Sequence, residues 1–307
     1  MSRKVLGLFV AVSVIWGLPY LFIKVAVDDG VPPAFLAWVR VTIGAAALLG
    51  LSWRAGLLPS LVGRWKWLAA FALAELVIPF PLIATGEQHV DSSLAAIIIA
   101  SAPLFVALLA LRFDASERVG GSRLVGLLVG LAGVVALVGV DVAGEPDELL
   151  GAGALVLAAL GYAAGPMILK RHLADLDPRA SMGGALLVAT IVLIPAAALD
   201  PPDATPSGSA ISALVVLGFV CTAAGLVAYG ALVAAVGAGR ALVVTYINPL
   251  VAVALGVLFL DERPGVGALA GLVLILAGSW LSTRQVSPGA RRDDVVGTDP
   301  LVGSPTG

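Results

Sequence analysis

The chain has 307 residues, of which 60% are hydrophobic and 12% are charged, and its mean hydropathy is +1.04. Soluble domains carry about 25% charged residues, so this composition indicates a membrane protein. The net charge of −2, with no basic run inside the chain, argues against a nucleic-acid partner. The single cysteine, Cys221, excludes an internal disulfide framework and a cysteine metal cluster.

Apolar runs of the length that a bilayer requires follow one another along the chain. A hydrocarbon core of about 30 Å needs roughly 20 apolar residues in a helix. The run from Val5 to Val27 has the basic flank of a signal peptide but exceeds a signal-peptide core of about 15 residues, which indicates a retained first span. Ten spans are predicted, at 5–27, 34–53, 65–86, 92–111, 123–140, 149–170, 179–199, 209–236, 241–260 and 265–283.

The distribution of basic residues predicts the orientation of these spans, because Lys and Arg in short loops are retained on the cytoplasmic side. A cytoplasmic amino terminus places 15 of the 18 Lys and Arg residues in cytoplasmic segments. The other three are Lys24 and Arg40, which fall within spans, and Arg263, which falls in an outer loop. We therefore expect a multi-pass protein of the inner cell membrane with both termini in the cytoplasm.

An internal repeat relates the two halves of the chain. The first span matches the sixth, with Trp16-Gly17 and Lys24 falling on Tyr162-Ala163 and Lys170. The fourth and fifth spans match the ninth and tenth through Pro103-Leu104 with Pro249-Leu250, Glu117-Arg118 with Glu262-Arg263, Gly126-Leu127 with Gly271-Leu272, and Leu131-Ala132-Gly133 with Leu276-Ala277-Gly278.

The repeat unit thus contains five helices, so the second copy must cross the membrane in the opposite direction. Inverted repeats of this kind recur in secondary transporters, whose substrate site lies near the midplane between the halves. We predict an all-α integral membrane protein with repeats at 1–145 and 146–284. The polar residues 285–307, rich in Gly, Pro and Asp, are predicted to form a disordered cytoplasmic tail.

The chain resembles the EamA-type members of the drug/metabolite transporter superfamily over residues 5–283. The marks of that resemblance are Trp16-Gly17 with Lys24, Arg40, the turn from Gly86-Glu87-Gln88 to Ser92-Ser93-Leu94, the Pro103 and Pro249 helices, and the two Glu-Arg turns. The resemblance implies ten helices in two inverted repeats and a transport function. It implies no particular substrate, because such proteins carry amino acids, metabolites, nucleotide sugars or drugs. The second repeat departs from symmetry, with Tyr162 opposite Trp16 and no basic residue matching Arg40.

Glu75 and Arg40 are the leading candidates for the site. Glu75 is the one acidic residue far from both ends of its span, and ionisable side chains within spans usually face a cavity or a partner. A rise of about 1.5 Å per residue places Glu75 near midplane and within reach of Arg40. The pair is read either as a structural ion pair or as a proton-exchanging carboxylate beside an anchor for a substrate carboxylate.

Other candidates lie on interrupted or polar helix faces. Ser13, Gly17, Tyr20 and Lys24 share one face of the first span, with Trp16 at its edge, and this face is expected to line the cavity, although Lys24 is also expected to reach the outer headgroups. Proline interruptions are expected in the third, fourth and ninth spans, either as transporter-site features or as simple kinks. Tyr162, Tyr246 and Asn248 complete the candidates, whereas Glu87 and His89 are expected to be exposed at the outer end.

No enzyme signature is present, and no cofactor or metal site is predicted. The sequence contains no His-Glu-x-x-His, Gly-x-Ser-x-Gly or Walker-type motif. We therefore expect a secondary transporter of small organic solutes such as amino acids or related metabolites, working by alternating access coupled to protons. A passive channel or facilitator and a multidrug efflux carrier are the alternatives, and an intramembrane enzyme is disfavoured. The expected partners are a small-molecule substrate and the lipid bilayer, with the fifth and tenth spans as an internal packing surface or a homodimer surface.

Overall fold

The computed structural model describes residues 2–113, 122–142, 145–241 and 243–283. These residues form ten helical segments that coincide with the ten predicted spans, together with two short helices in the connections, Leu58–Leu61 and Ala238–Ala241, which confirms the all-α prediction. Glu117-Arg118 and the predicted tail lie outside the described residues. The segments are α1 (Arg3–Asp28), α2 (Pro33–Arg54), α3 (Trp65–His89), α4 (Ser92–Ile99 and Ala102–Phe113), α5 (Ser122–Leu137), α6 (Pro146–His172), α7 (Pro178–Leu199), α8 (Gly208–Val236), α9 (Val244–Phe259) and α10 (Val266–Thr283).

The helix surfaces are those of a protein that faces lipid. Among the described residues, seven helices are long and apolar enough to cross a membrane, and α5, α9 and α10 are shorter apolar helices. Large apolar side chains are exposed along them, including Leu199, Val266, Leu258 and Val135. A soluble monomer rarely exposes apolar surface on this scale, so the outer faces of these helices are suited to hydrocarbon.

The helix contacts repeat under the exchange of α1–α5 with α6–α10. The α1–α9 contact corresponds to α6–α4, the α3–α6 contact to α8–α1, and the α2–α8 contact to α7–α3. The α2–α7 and α5–α10 contacts correspond to themselves, as expected for helices that lie across a two-fold axis. The packing therefore has the inverted two-fold symmetry that the repeat predicts.

Glycines bring α5 and α10 together reciprocally. A Cβ atom at Gly126 would lie 2.8 Å from the Gly278 carbonyl oxygen, and one at Gly271 would lie 3.0 Å from the Gly133 carbonyl oxygen. Gly126 matches Gly271 in the repeat and Gly133 matches Gly278, so one contact is the image of the other. Small residues at such positions let helix backbones approach closely in a membrane. These glycines pack α5 against α10 within the chain.

The connections between the helices lie at the two ends of the bundle, one of which is acidic and the other basic. The acidic end holds the α1–α2, α3–α4, α5–α6, α7–α8 and α9–α10 connections, with Asp28, Asp29, Asp91, Asp141, Glu145, Asp147, Glu148, Asp200, Asp203 and Glu262 in or beside them. The basic end holds the other connections, with Arg54, Arg64, Lys66, Arg171, Arg179 and Arg240. Contacts between connections stay within one end: the Ser207 amide donates to Asp29 at 2.8 Å, and Arg64 pairs with Asp175.

Helix interruptions occur partly where prolines predict them. The α3 helix contains a π-helical turn at Leu73–Val77 just before Pro79, and α4 is interrupted between Ile99 and Ala102, just before Pro103. The expected interruption of α9 at Pro249 is wrong, because Val244–Phe259 is one continuous helix. Two further π-helical segments, Val138–Val142 directly after α5 and Val216–Ala224 in α8, contain no proline and were not expected.

Candidate functional site

Arg40 lies inside the helix bundle on α2 and is only 7% exposed. Its Nε atom donates a hydrogen bond to Thr222 Oγ1 at 3.0 Å, and its guanidinium carbon lies 3.9 Å from the centroid of the Phe80 ring. Among the described residues it makes no other hydrogen bond. Its two terminal nitrogens therefore form a planar pair of unused donors, which is the geometry that a carboxylate binds.

The π-helical segment of α8 positions Thr222 for this contact. The Thr222 hydroxyl donates to the carbonyl oxygen of Leu217, five residues earlier, at 2.8 Å, so its oxygen is held towards Arg40. Glycines allow the two helices to meet closely: a Cβ at Gly44 would lie 2.9 Å from Thr222 Cγ2, and one at Gly218 would lie 3.1 Å from the Arg40 carbonyl oxygen. The backbone geometry of α8 thus supports the orientation of Arg40.

Glu75 lies in the π-helical turn of α3, and its carboxylate faces α6. The Oε2 atom is fully enclosed and makes no hydrogen bond with the described residues. A Cβ atom at Gly165 of α6 would collide with this carboxylate, so the glycine provides the space that it occupies. Glu75 is therefore a carboxyl group inside the bundle without a fixed partner.

The structure does not join Glu75 and Arg40 in an ion pair, although both lie inside the bundle. Arg40 is bonded to Thr222 instead, and Glu75 Oε2 has no partner among the described residues. Tyr162 of α6 lies within electrostatic range of both charges. The charges of the two leading candidates thus both act on Tyr162, while the two side chains form no ion pair with each other.

Glu87 is placed differently from the sequence expectation, which had it exposed to headgroups and water. Its side chain is 0% exposed, and neither carboxylate oxygen makes a hydrogen bond with the described residues. The expectation of exposure is wrong because the acidic end of α3 is covered by α1, α2 and α6. Glu87 is a second buried carboxylate, and it is not among the site residues that the sequence predicts.

Lys24 connects Glu87 to the acidic end. Its ammonium group donates to the backbone oxygen of Glu87 at 2.9 Å and lies 3.3 Å from the Asp28 carboxylate. Lys24 therefore contacts protein groups rather than only reaching towards headgroups. Tyr20, one turn along α1 from Lys24, lies within electrostatic range of Glu87, Arg40 and Tyr162.

The other half of the polar face of α1 is packed against α9. The Ser13 hydroxyl donates to the Phe9 carbonyl oxygen of its own helix at 2.9 Å, and a Cβ atom at Gly17 would lie 2.6 Å from Val251. With the Asn248 amide turned so that its nitrogen faces the neighbouring acceptors, that nitrogen donates to the carbonyl oxygens of Val244 at 2.7 Å and Ser13 at 3.2 Å and so ties α9 to α1. This half of the face is a helix contact and not an open cavity lining.

The two remaining aromatic candidates also lie on this side of the bundle. Trp16 packs against Tyr229 of α8, with 4.6 Å between ring centroids. Tyr246 lies on α9, half a turn before Asn248, and is partly buried. Trp16 also lies beside Gly225 of α8, 2.8 Å from where a Cβ atom there would lie and one turn from Thr222.

An open cavity of about 500 Å³ lies at the acidic end and reaches Lys24. Two carboxylates beside it cap helices of the opposite repeat. Glu262 accepts hydrogen bonds from the Ser92 amide at 2.7 Å and the Ser93 amide at 3.0 Å, and Asp141 accepts from the amides of Gly267 and Ala268. Burial raises the pKa of Asp91, which lies in the α3–α4 connection beside this cavity. The mouth of the cavity is therefore built from both repeats.

The profile of the EamA-like transporter family matches residues 3–139 and again residues 149–284, which together span nearly all of the described chain. The chain belongs to the EamA-like transporter family. The double match agrees with two copies of one five-helix unit. This EamA-family chain is accordingly a multi-pass membrane transporter and not an enzyme.

Two relatives and one solved structure show how this EamA-family chain compares with known proteins. A protein of Escherichia coli K12 named "Probable amino-acid metabolite efflux pump" is 27% identical over 292 residues, which cover 92% of this chain and 95% of the relative. A second E. coli K12 protein, the inner membrane transporter YedA, is 31% identical over 83% of each chain. A crystal structure with a TM-score of 0.66 and 21% identity covers 92% of this chain and 98% of the other, and it shares the fold.

Proposed function

We propose that this transporter exports amino acids or related metabolites by alternating access, with inward proton movement driving export. The observation that carries the proposal is Arg40, a buried cation with two unused donor nitrogens inside the bundle. Such a group is suited to the carboxylate that all amino acids share. The E. coli relative named as an amino-acid metabolite efflux pump supports the same class of cargo.

Glu75 is the proton-exchanging group in this proposal. Its enclosed, unbonded oxygen has no fixed charge partner among the described residues, so protonation removes the free-energy penalty of a buried charge. A carboxyl that gains its proton on one side of the membrane and releases it on the other couples transport to the gradient. Arg40 anchors the substrate and Glu75 carries the proton, with Tyr162 beside both.

The transport test uses purified protein in proteoliposomes and a radiolabelled mixture of the twenty amino acids. The wild type should accumulate label against its gradient when the vesicle interior is more acidic than the medium. Glu75→Gln keeps the shape but cannot exchange a proton, so it should abolish accumulation and retain exchange of labelled for unlabelled amino acids. Arg40→Lys keeps the charge but loses the planar pair of donors, so it should weaken binding.

The double variant Glu75→Gln with Arg40→Gln decides whether these residues belong to the mechanism. Wild-type transport in that variant, including its dependence on the pH gradient, would remove both residues from the proposal. Downhill exchange by the wild type without any response to the gradient would instead indicate a facilitator. Failure of the wild type to move any labelled amino acid would overturn the proposed cargo.

Alternating access requires the cavity to open to each end in turn. Tyr20 and Tyr162 lie on α1 and α6, the matching first helices of the two inverted repeats, so the two positions should be reached from opposite ends. In a Cys221→Ala background, Tyr20→Cys and Tyr162→Cys should show opposite changes in reactivity towards a polar thiol reagent when the amino-acid mixture is added. Ser209→Cys, at an exposed position, is the control that should not change. Parallel changes at the two tyrosine positions would contradict alternating access.

The orientation is part of the proposal: the basic end, both termini and the segment 285–307 lie in the cytoplasm, with repeats at 1–145 and 146–284. The support is the excess of Lys and Arg at one end of the bundle. A reporter fused after Arg284 should be active only in the cytoplasm, and one inserted near Thr205 only outside. Activity of both reporters on the same side of the membrane would contradict this orientation.

A further inference from the structure

Glu87 is a buried charge that the proposed roles of Arg40 and Glu75 do not use. It is 0% exposed, and neither carboxylate oxygen accepts a hydrogen bond from the described residues. Lys24, the nearest cation along α1, contacts the backbone oxygen of Glu87 and the carboxylate of Asp28. An isolated buried carboxylate is unfavourable by several kcal/mol, so such groups are paired, neutralised or part of a binding site.

Arg40 is the buried cation with unused donor nitrogens near Glu87, although the charge of Lys24 acts on Glu87 more strongly. It is buried to a similar degree, its charge acts on Glu87, and the two side chains form no ion pair with each other. Tyr20 lies within electrostatic range of both. Arg40 lies on the Phe80 ring of α3, and Glu87 lies seven residues, about two turns, further along the same helix. The bundle therefore holds a buried cation and a buried anion on two helices in contact, and the two charges are kept apart although direct pairing would relieve the desolvation of both.

Resting on the proposed export of amino acids, we propose that Glu87 binds the amino group of a zwitterionic substrate whose carboxylate binds Arg40. Two separated opposite charges match a molecule that carries both charges. A simple organic acid is repelled by Glu87, and a simple amine is repelled by Arg40. The substrate class is thus the α-amino acid itself, and not its deaminated acid or its decarboxylated amine.

The size of the selectivity follows from leaving one buried charge unpaired. Removing one partner of a buried charge pair at an interface weakens binding by a factor of about 30 or more. Deaminated acids and decarboxylated amines should therefore compete about 30-fold more weakly than the amino acids. Glu87→Gln should weaken amino-acid binding by a similar factor and improve competition by the deaminated acids, because the neutral amide no longer repels a lone carboxylate.

The experiment measures counterflow in proteoliposomes with the labelled amino-acid mixture, in competition with the matching mixtures of deaminated acids and of decarboxylated amines. Glu87→Gln retains the backbone oxygen that Lys24 contacts. Glu87→Asp restores a carboxylate and should restore the zwitterion preference. Glu145→Gln makes the same chemical change at an exposed position of the acidic end and should behave as the wild type.

A labelling measurement on the wild type keeps the test valid even if Glu87→Gln does not fold. Dicyclohexylcarbodiimide reacts with carboxyl groups in apolar surroundings, and mass spectrometry of the peptide locates the product. The amino-acid mixture should protect Glu87 from this reagent, and the deaminated acids should not.

Several outcomes overturn the inference. They are wild-type affinity and charge selectivity in Glu87→Gln, an equal loss for all three ligand classes, and a lack of protection of Glu87 by amino acids. In each of these cases amino-acid counterflow by the wild type still supports the proposed function. An absence of amino-acid counterflow in the wild type would overturn the proposed function together with the inference.

Discussion

The two repeats agree in their packing and differ in their charges. Pro103 and Pro249 lie 146 positions apart, as do Trp16 and Tyr162. The same shift places apolar or weakly polar residues opposite the buried charges of the first repeat: Leu186 opposite Arg40, Cys221 opposite Glu75 and Val233 opposite Glu87. Two glycines of α5, Gly126 and Gly133, in contrast, are kept in α10 as Gly271 and Gly278.

The difference indicates that packing and chemistry are under separate constraints. Helices that lie across the two-fold axis need small residues from both copies, because each contact has an image. A buried charge has no such need, and a second set would double the desolvation penalty without adding a second substrate. The first repeat thus supplies the charges, whereas the second supplies Thr222 and Tyr162, which orient or neighbour them.

The third helix of each repeat shows how one backbone feature serves both purposes. The α3 helix has its π-helical turn at Leu73–Val77, which carries Glu75, and α8 has its π-helical segment at Val216–Ala224, which carries Cys221 and Thr222. π-Helical turns are rare and frequently mark functional sites. The backbone irregularity is common to the two copies, and the side chains on it have diverged.

The largest expected effect is on the packing that the repeats share. Gly278→Val places a Cβ atom against backbone atoms of Gly126 and Gly130, which cannot move aside as a flexible side chain could. We expect a loss of about 3 kcal/mol or more in the free energy of unfolding, or no folded protein. The measurement is the thermal midpoint of the purified protein in detergent, with the monodisperse fraction from gel filtration.

Two variants set the scale for this prediction. Gly133→Val is the matching change in the first repeat; the nearest atoms there lie 2.8 to 3.1 Å from a new Cβ, so the loss should be smaller. Gly230→Val makes the same substitution in α8, where nothing lies within 4 Å, and should change stability little. Equal stability of all three variants would contradict the close α5–α10 contact as the symmetric core.

The sequence was sufficient for the ten helices because hydropathy, charge distribution and the repeat agree on them. It also predicted that Arg40 and Glu75 lie inside the bundle, since a charge in the middle of an apolar span stands out. The burial of Glu87 was not predicted, because the sequence gives only the depth of a residue along its span. Whether a residue near the end of a span is buried depends on which helices pack over it. That lateral information comes from tertiary contacts and is absent from a hydropathy profile.

The roles of Glu262 and Thr222 were missed for related physical reasons. Glu262 stood out in the sequence only as part of a repeated Glu-Arg turn, whereas its hydrogen bonds run to Ser92 and Ser93 in the other repeat. Thr222 faces Arg40 because α8 is π-helical at that point, and no proline signals the irregularity. Both contacts depend on how the repeats dock, which no local pattern records.

The second largest effect is expected for Thr222→Val, which tests whether the second repeat orients Arg40. Thr222→Val removes the hydroxyl that accepts the Arg40 Nε hydrogen bond. A hydrogen bond to a charged group contributes about 1.5 kcal/mol or more, so the apparent affinity for the amino-acid mixture should fall about tenfold. Counterflow kinetics measure this affinity.

Thr190→Val is the matched control for Thr222→Val, because the Thr190 hydroxyl donates only to Leu186 of its own helix, at 2.9 Å. It should leave the affinity unchanged. If Thr222→Val also leaves the affinity unchanged while Arg40→Lys lowers it, the second repeat does not orient Arg40. The division of roles between the repeats would then need revision.

The smallest expected effect concerns the start of α7, which is more polar than the matching start of α2 in the first repeat. The α7 helix begins after Asp177, whose carboxylate accepts from the Arg179 amide at 2.9 Å, from Nε at 3.0 Å and from Nη2 at 2.9 Å. The matching α2 helix begins at Pro32-Pro33 without a capping side chain. Replacing an N-cap residue by Ala destabilises a protein by about 1 kcal/mol, so Asp177→Ala should lower the free energy of unfolding by about that amount at pH 7.

The pH dependence of this stability difference shows how much of it comes from the charge of Asp177. The hydrogen bonds from Arg179 lower the pKa of Asp177 in the folded protein, so the stabilisation is complete above the unfolded pKa of about 3.9 and is lost as the pH falls through the lower folded value. The stability difference between the wild type and Asp177→Ala, measured from thermal midpoints in detergent, should therefore become smaller below about pH 4.

Asp177→Asn can still cap the helix through its amide oxygen but lacks the charge facing Arg179. It should therefore be less destabilised than Asp177→Ala, and its stability relative to Asp177→Ala should not change in this way with pH. Asp203→Asn, at an exposed position, should leave stability unchanged. If this stability difference between the wild type and Asp177→Ala stays constant down to low pH, the stabilisation comes from the helix cap alone. The start of α7 would then differ from the start of α2 in its hydrogen bonds but not in its charge.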